Sequence, residues 1–145
     1  MRPAHEPIVP AGRESEYAEW HLAPAVRVGD TVYCSGVLGT RPDGSVPADL
    51  SEEVAQAFEN LAEVLAAAGL ELAHVVDLLT FHRDLATEVP AFMQGRDRYL
   101  AAPWPAWTAI GAAQLGGGLP GVRLEIKATA QAPSTPAAPH ERNDR

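Results

Sequence analysis

Nine residues near the C-terminal end alternate without a break. Val122, Leu124, Ile126, Ala128 and Ala130 point one way, and Arg123, Glu125, Lys127 and Thr129 point the other. A strict period of two predicts a strand with one buried and one polar face. Such a strand needs a second layer over its apolar face, and the chain carries one. Asp49 is placed to cap a helix, Glu52 stands three residues on, and Val54, Phe58, Leu61, Leu65 and Ala68 follow at helical spacing until Gly69 ends the run.

The remaining segments fill in a mixed pattern. Ala25–Val28 and Thr31–Ser35 flank Gly29-Asp30 and predict a hairpin, followed by Val37-Leu38 between two glycines. Val75–His82 is apolar on both faces and predicts a central strand. A second helix is expected from Glu88 to Leu100, with Thr87 as cap and Pro90 in the first turn. Ala106–Leu115 predicts another strand, and Gly116–Gly118 a plain loop. The fold class is therefore α+β, one mixed sheet in the order ββαβαββ with two helices on one face. The other face is left to solvent or to a partner subunit. Residues 1–16 are expected as a flexible arm with Ile8-Val9 as a short edge strand, 17–132 as one domain, and 133–145 as a disordered tail.

Charge and composition exclude several functions. The net charge is −8, with one lysine among eleven Lys and Arg, so a phosphate-tracking surface for nucleic acid is not expected. No apolar run approaches a membrane span and no secretory signal is visible, so a cytoplasmic location is expected. Cys34 is the lone cysteine, and the five histidines show no ligand spacing, so no metal site is expected.

Several of these segments together resemble a known family. Val32-Tyr33-Cys34-Ser35-Gly36, the helix ending Ala66-Ala67-Ala68-Gly69, Phe81–Leu85, Pro105–Gly111 and Leu124–Ala130 are similar to the Rid family, the RidA, YjgF-type or L-PSP proteins. The resemblance implies a chorismate-mutase-like fold and a homotrimer whose sheets form a central barrel. It also implies a small-molecule pocket between subunits, no cofactor, and hydrolysis (deamination) of reactive imines and enamines. Within it, Glu125 matches the carboxylate that orients water and Ser35 matches a pocket serine. Trp107 stands where the best-known branch carries the arginine that grips the substrate carboxylate, so a larger, flatter ligand less dependent on a carboxylate is expected.

The individual residues also have plainer readings. Glu125 by itself is a solvated carboxylate paired with Arg123 or Lys127. Trp107 is either packing or a pocket wall that stacks on an unsaturated ligand. Thr108 follows it, and Tyr17 and Tyr99 are candidate binding residues from the N-terminal segment and the end of the second helix. Arg96 or Arg98 is the candidate to replace the missing cation, although a solvated helix face is the simpler account of both. Cys34 reads as an inert buried thiol and His82 as a satisfied strand-end histidine. Two functions follow: an imine or enamine hydrolase using Glu125, or a non-catalytic carrier or regulator that binds the same kind of small molecule. Ribonuclease activity is disfavoured by the charge.

Overall fold

The alternating segment lies inside the sheet. In the computed structural model, which describes residues 1–134, it forms β7 (Leu124–Gln131). The chain runs β1 (Glu6–Ile8), α1 (Glu14–Trp20), β2 (Ala25–Val28), β3 (Thr31–Cys34), β4 (Val37–Leu38), α2 (Leu50–Ala67), β5 (Val75–His82), α3 (Leu85–Arg96), β6 (Ala106–Gly111) and β7. The strands make one mixed seven-stranded sheet, β1-β2-β3-β7-β5-β6, with β4 also paired to β7. The β5–β6 pair is parallel, joined by the α3 crossover, and the other pairs are antiparallel.

Helix α2 forms where its caps place it. Asp49 accepts from Ser51 N at 2.7 Å and Glu52 N at 3.3 Å. The reciprocal half of the box is absent, because the Glu52 carboxylate pairs with Arg41 at 3.2 Å. At the other end Leu70 N reaches Leu65 O and Gly69 N reaches Ala66 O, both at 2.9 Å, with Gly69 at φ 72°. That is a Schellman closure, which a left-handed glycine permits. Val54, Phe58, Leu61 and Leu65 are fully buried against Val32, Leu78, Leu124 and Ile126 of the sheet and Phe92 of α3.

Four expectations need correction. Residues 1–16 are not simply a loose arm, since they contribute β1 and the start of α1, so the described residues hold three α-helices rather than two. Helix α1 buries no residue and therefore left no apolar period to read. Helix α3 begins three residues earlier than expected, capped by Asp84 rather than Thr87; Asp is the stronger cap and comes first. It also ends at Arg96, and Pro90 falls in its second turn. Strand β6 stops at Gly111, and Gly116–Gly118 makes a short 3-10 turn with all three glycines at positive φ. The expected tail from residue 133 lies almost wholly outside the described residues.

Candidate active site on the open face

Helices α2 and α3 cover one face of the sheet. The other face carries Glu125, Lys127 and Thr129 of β7, with Val26, Tyr33, Leu79 and Phe81 from neighbouring strands. Strand β3 pairs with β7 as far as Tyr33–Thr129, and β4 resumes the pairing at Val37–Ile126. Between them Cys34, Ser35 and Gly36 leave the ladder, and their polar groups find other partners. Ser35 N donates to Pro24 O at 2.9 Å, and Ser35 Oγ donates to Ala23 O at 2.7 Å. Lys127 Nζ donates to Cys34 O at 2.8 Å.

Glu125 closes the other side of this gap. Its carboxylate rests against Gly36, where an added Cβ would stand 2.0 Å from Oε1. Ser35 is thus flanked by a carboxylate at Gly36 and an ammonium at Cys34. Neither expected partner neutralises Glu125. Arg123 pairs instead with Glu53 (Nε to Oε2, 2.6 Å), and Lys127 Nζ reaches the carbonyl of Cys34 rather than Glu125. Among the described residues the half-buried Glu125 carboxylate has no ion-pair partner, so its acceptor sites remain free for water or ligand.

A cleft of about 770 Å³ opens beside Ser35, lined by Tyr17, Trp20, His21, Val26 and His5. Helix α1 forms its outer wall, and His21 ends that helix in the left-handed region at φ 52°. The structure therefore brings Tyr17 together with Ser35, and Glu125 lies against the residue next to Ser35. Thr108 lies exposed on the same face, in register with Leu79, which faces Lys127.

Trp107 and Tyr99 lie on the opposite, helix-covered face. Trp107 packs on Phe92 (centroids 5.6 Å apart), and its Nε1 donates to Thr80 Oγ1 at 2.9 Å. Tyr99 stacks on Phe58 at 5.2 Å, its hydroxyl near Glu59. Arg96 is not on a solvated helix face. Its guanidinium sits 5.4 Å from the Trp104 ring and 4.9 Å from the Trp107 ring, with Nε donating to Asp97 at 2.9 Å. Cation–π contact and the carboxylate hold it in place.

Burial sets the remaining chemistry. It pushes the Cys34 thiol up to about 11, which keeps it protonated and poorly nucleophilic. His82 is fully buried with Nε2 2.8 Å from Thr80 Oγ1 and Nδ1 without a partner, so it is only half satisfied. Among the described residues no three His, Cys, Asp or Glu side chains gather as metal ligands, and no helix is long and apolar enough to cross a membrane. Sequence reasoning missed the position of Lys127 beside Ser35. The available signal was its place on the same strand face as Glu125, two residues on.

Comparison with known proteins places this arrangement in context. Residues 14–132 match the family described as Endoribonuclease L-PSP. The chain is 38% identical over 127 residues to the RutC family protein YjgH of Escherichia coli, covering 87% of this chain and 94% of that one. It is 38% identical over 120 residues to the 2-iminobutanoate/2-iminopropanoate deaminase of Bos taurus, covering 79% and 82%. A solved structure of a protein YJGH superposes with a TM-score of 0.79 at 36% identity, covering 92% of this chain and 100% of that one.

Proposed function

The chain belongs to the L-PSP family, the RidA or YjgF-type proteins, and from that premise we propose that it hydrolyses a small imine or enamine, with Glu125 positioning the attacking water. The observation that carries this reading is the Glu125 carboxylate, held against Gly36 beside Ser35 with no ion-pair partner among the described residues. Deaminase relatives at about the same identity support the reaction class.

The step balances with water alone. A water hydrogen-bonded to Glu125 attacks the imine carbon, and the carboxylate takes its proton. Glu125 returns that proton to the former imine nitrogen, the hydroxyl of the resulting amino alcohol gives its own proton to the same nitrogen as the C–N bond breaks, and ammonia leaves a carbonyl compound. An enamine enters the same path once protonated at carbon. Ser35 Oγ, which donates to Ala23 O, keeps lone pairs that accept from the substrate N–H. The cleft behind Tyr17 and Trp20 takes the substituent.

In this reading the working site lies between subunits of a homotrimer. Val28, Tyr33 and Ile110 on the open face are each more than two-fifths exposed, an apolar surface that a second copy would cover. Trp107 then serves the helix-covered layer through Thr80, not as a hydrogen-bond donor to the ligand. Ribonuclease chemistry is not adopted, because a net charge of −8 offers no phosphate track.

The test is ammonia release from imines generated in situ, comparing the wild type with Glu125→Gln. A loss of about a hundredfold or more in kcat supports the hydrolase. Tight binding of the imine's product without Glu125-dependent turnover would instead make the protein a carrier or regulator.

A further inference from the structure

We propose that Lys127 is the cation that holds an anionic group of the ligand, two residues along β7 from Glu125. This rests on the reading of Glu125 as the water-positioning group and names the specificity determinant of the same site.

Lys127 and Glu125 share the open face of one strand, so their stems stand roughly 7 Å apart. Ser35 lies between their heads. The Lys127 ammonium is not left to wander in solvent, because Cys34 O accepts one of its protons at 2.8 Å. An ammonium has three donors, so two remain to bind an anion at this place. The nearby arginines are committed elsewhere. Arg123 grips Glu53, Arg27 donates to Ala68 O on the helix-covered side, and Arg96 is held between two indoles.

A 2-imino acid carries its carboxylate on the carbon next to the imine carbon. Seating that carboxylate on Lys127 turns the imine carbon toward the water at Glu125. A lysine is a compact point charge, whereas an arginine is a planar fork. The site therefore favours an anion over a neutral imine without demanding one bidentate orientation.

Isothermal titration of 2-oxobutanoate and of its neutral counterpart 2-butanone tests this directly, alongside KM and kcat for 2-iminobutanoate. The wild type is expected to bind the carboxylate and not the ketone. Lys127→Gln is expected to weaken carboxylate binding and raise KM by about tenfold or more, with the melting temperature kept. Lys127→Arg should stay within about threefold of wild type, because it keeps a cation at this place. Equal binding of ketone and carboxylate, no carboxylate binding by the wild type, or a Lys127→Gln affinity equal to wild type would overturn the proposal. Carboxylate binding through Lys127 without imine turnover would leave it standing and remove the hydrolase instead.

Discussion

Gly36 and Glu125 cannot both carry side chains in their present places, because a Cβ on Gly36 would stand 2.0 Å from Glu125 Oε1 and 2.9 Å from its Cδ. The position excludes a methyl for reasons of space, since Gly36 is not among the glycines at positive φ. Gly36→Ala is therefore expected to push the carboxylate away from Ser35. Imine turnover should fall about tenfold or more. Stability should change little, as the stiffer unfolded chain offsets part of the crowding. Parallel kinetics and thermal melts check this, and unchanged turnover would show that the carboxylate is not held by this contact.

Thr80 ties β5 to β6 on the helix-covered face. Its hydroxyl accepts from Trp107 Nε1 at 2.9 Å and lies 2.8 Å from His82 Nε2. Thr80→Val keeps the shape and removes both bonds. The expected cost is about 1–3 kcal/mol, from leaving two polar groups without partners. Urea unfolding measures it, and a shift of tryptophan emission should accompany it.

Glu53 is fully buried and accepts from Arg123 Nε at 2.6 Å and Arg123 N at 2.9 Å. Arg123→Met strands that carboxylate in the core. The expected loss is about 2–4 kcal/mol, toward the low end because the Arg123 side chain is 30% exposed. Replacing both residues by Met should cost less than Arg123→Met alone, since no charge is then left buried. A double variant no more stable than the single one would refute this.

Two buried groups give opposite pH slopes. Burial pushes the Glu88 carboxyl above its ordinary 4.5, so the folded protein holds that proton more tightly and stability falls as pH rises through this range. Burial pushes His82 below its ordinary 6.5, so the unfolded chain binds that proton more tightly and stability falls as pH drops below 6.5. Glu88→Gln can still accept from Asp84 N. It should remove the first slope, raise stability at pH 7, and leave the acid-side loss due to His82. Urea midpoints between about pH 4 and 8 decide the matter.

Much of the fold was legible in the residues. The alternation of β7, the Asp49 and Gly69 ends of α2, and the Gly29-Asp30 hairpin all stand where spacing predicts them. Helix α1 was not legible, because it is short, buries nothing and is held by local contacts such as Arg13 with Glu16. The start of α3 was misplaced because two cap residues, Asp84 and Thr87, compete within one turn. In the candidate site, Ser35 and Glu125 could be named from the chain, but the partners of Glu125 could not. Adjacency along the chain suggested Arg123 and Lys127, whereas Arg123 lies just before β7 begins and turns to Glu53 of α2, and Lys127 reaches the carbonyl of Cys34.

The sequence by itself determined the elements from β2 to β7 and their order, though not α1, because periodicity, capping and turn chemistry act within a few residues. Only the tertiary structure decided which charges stay unpaired and which face each aromatic serves. Those outcomes depend on strand register between distant segments. The Cys34–Lys127 bond joins residues 93 positions apart, and no local pattern encodes that meeting. A shift of one residue in β7 would send Glu125 and Lys127 into the core and its apolar partners outward, so burial of Leu124, Ile126 and Ala128 is what sets both polar groups beside Ser35.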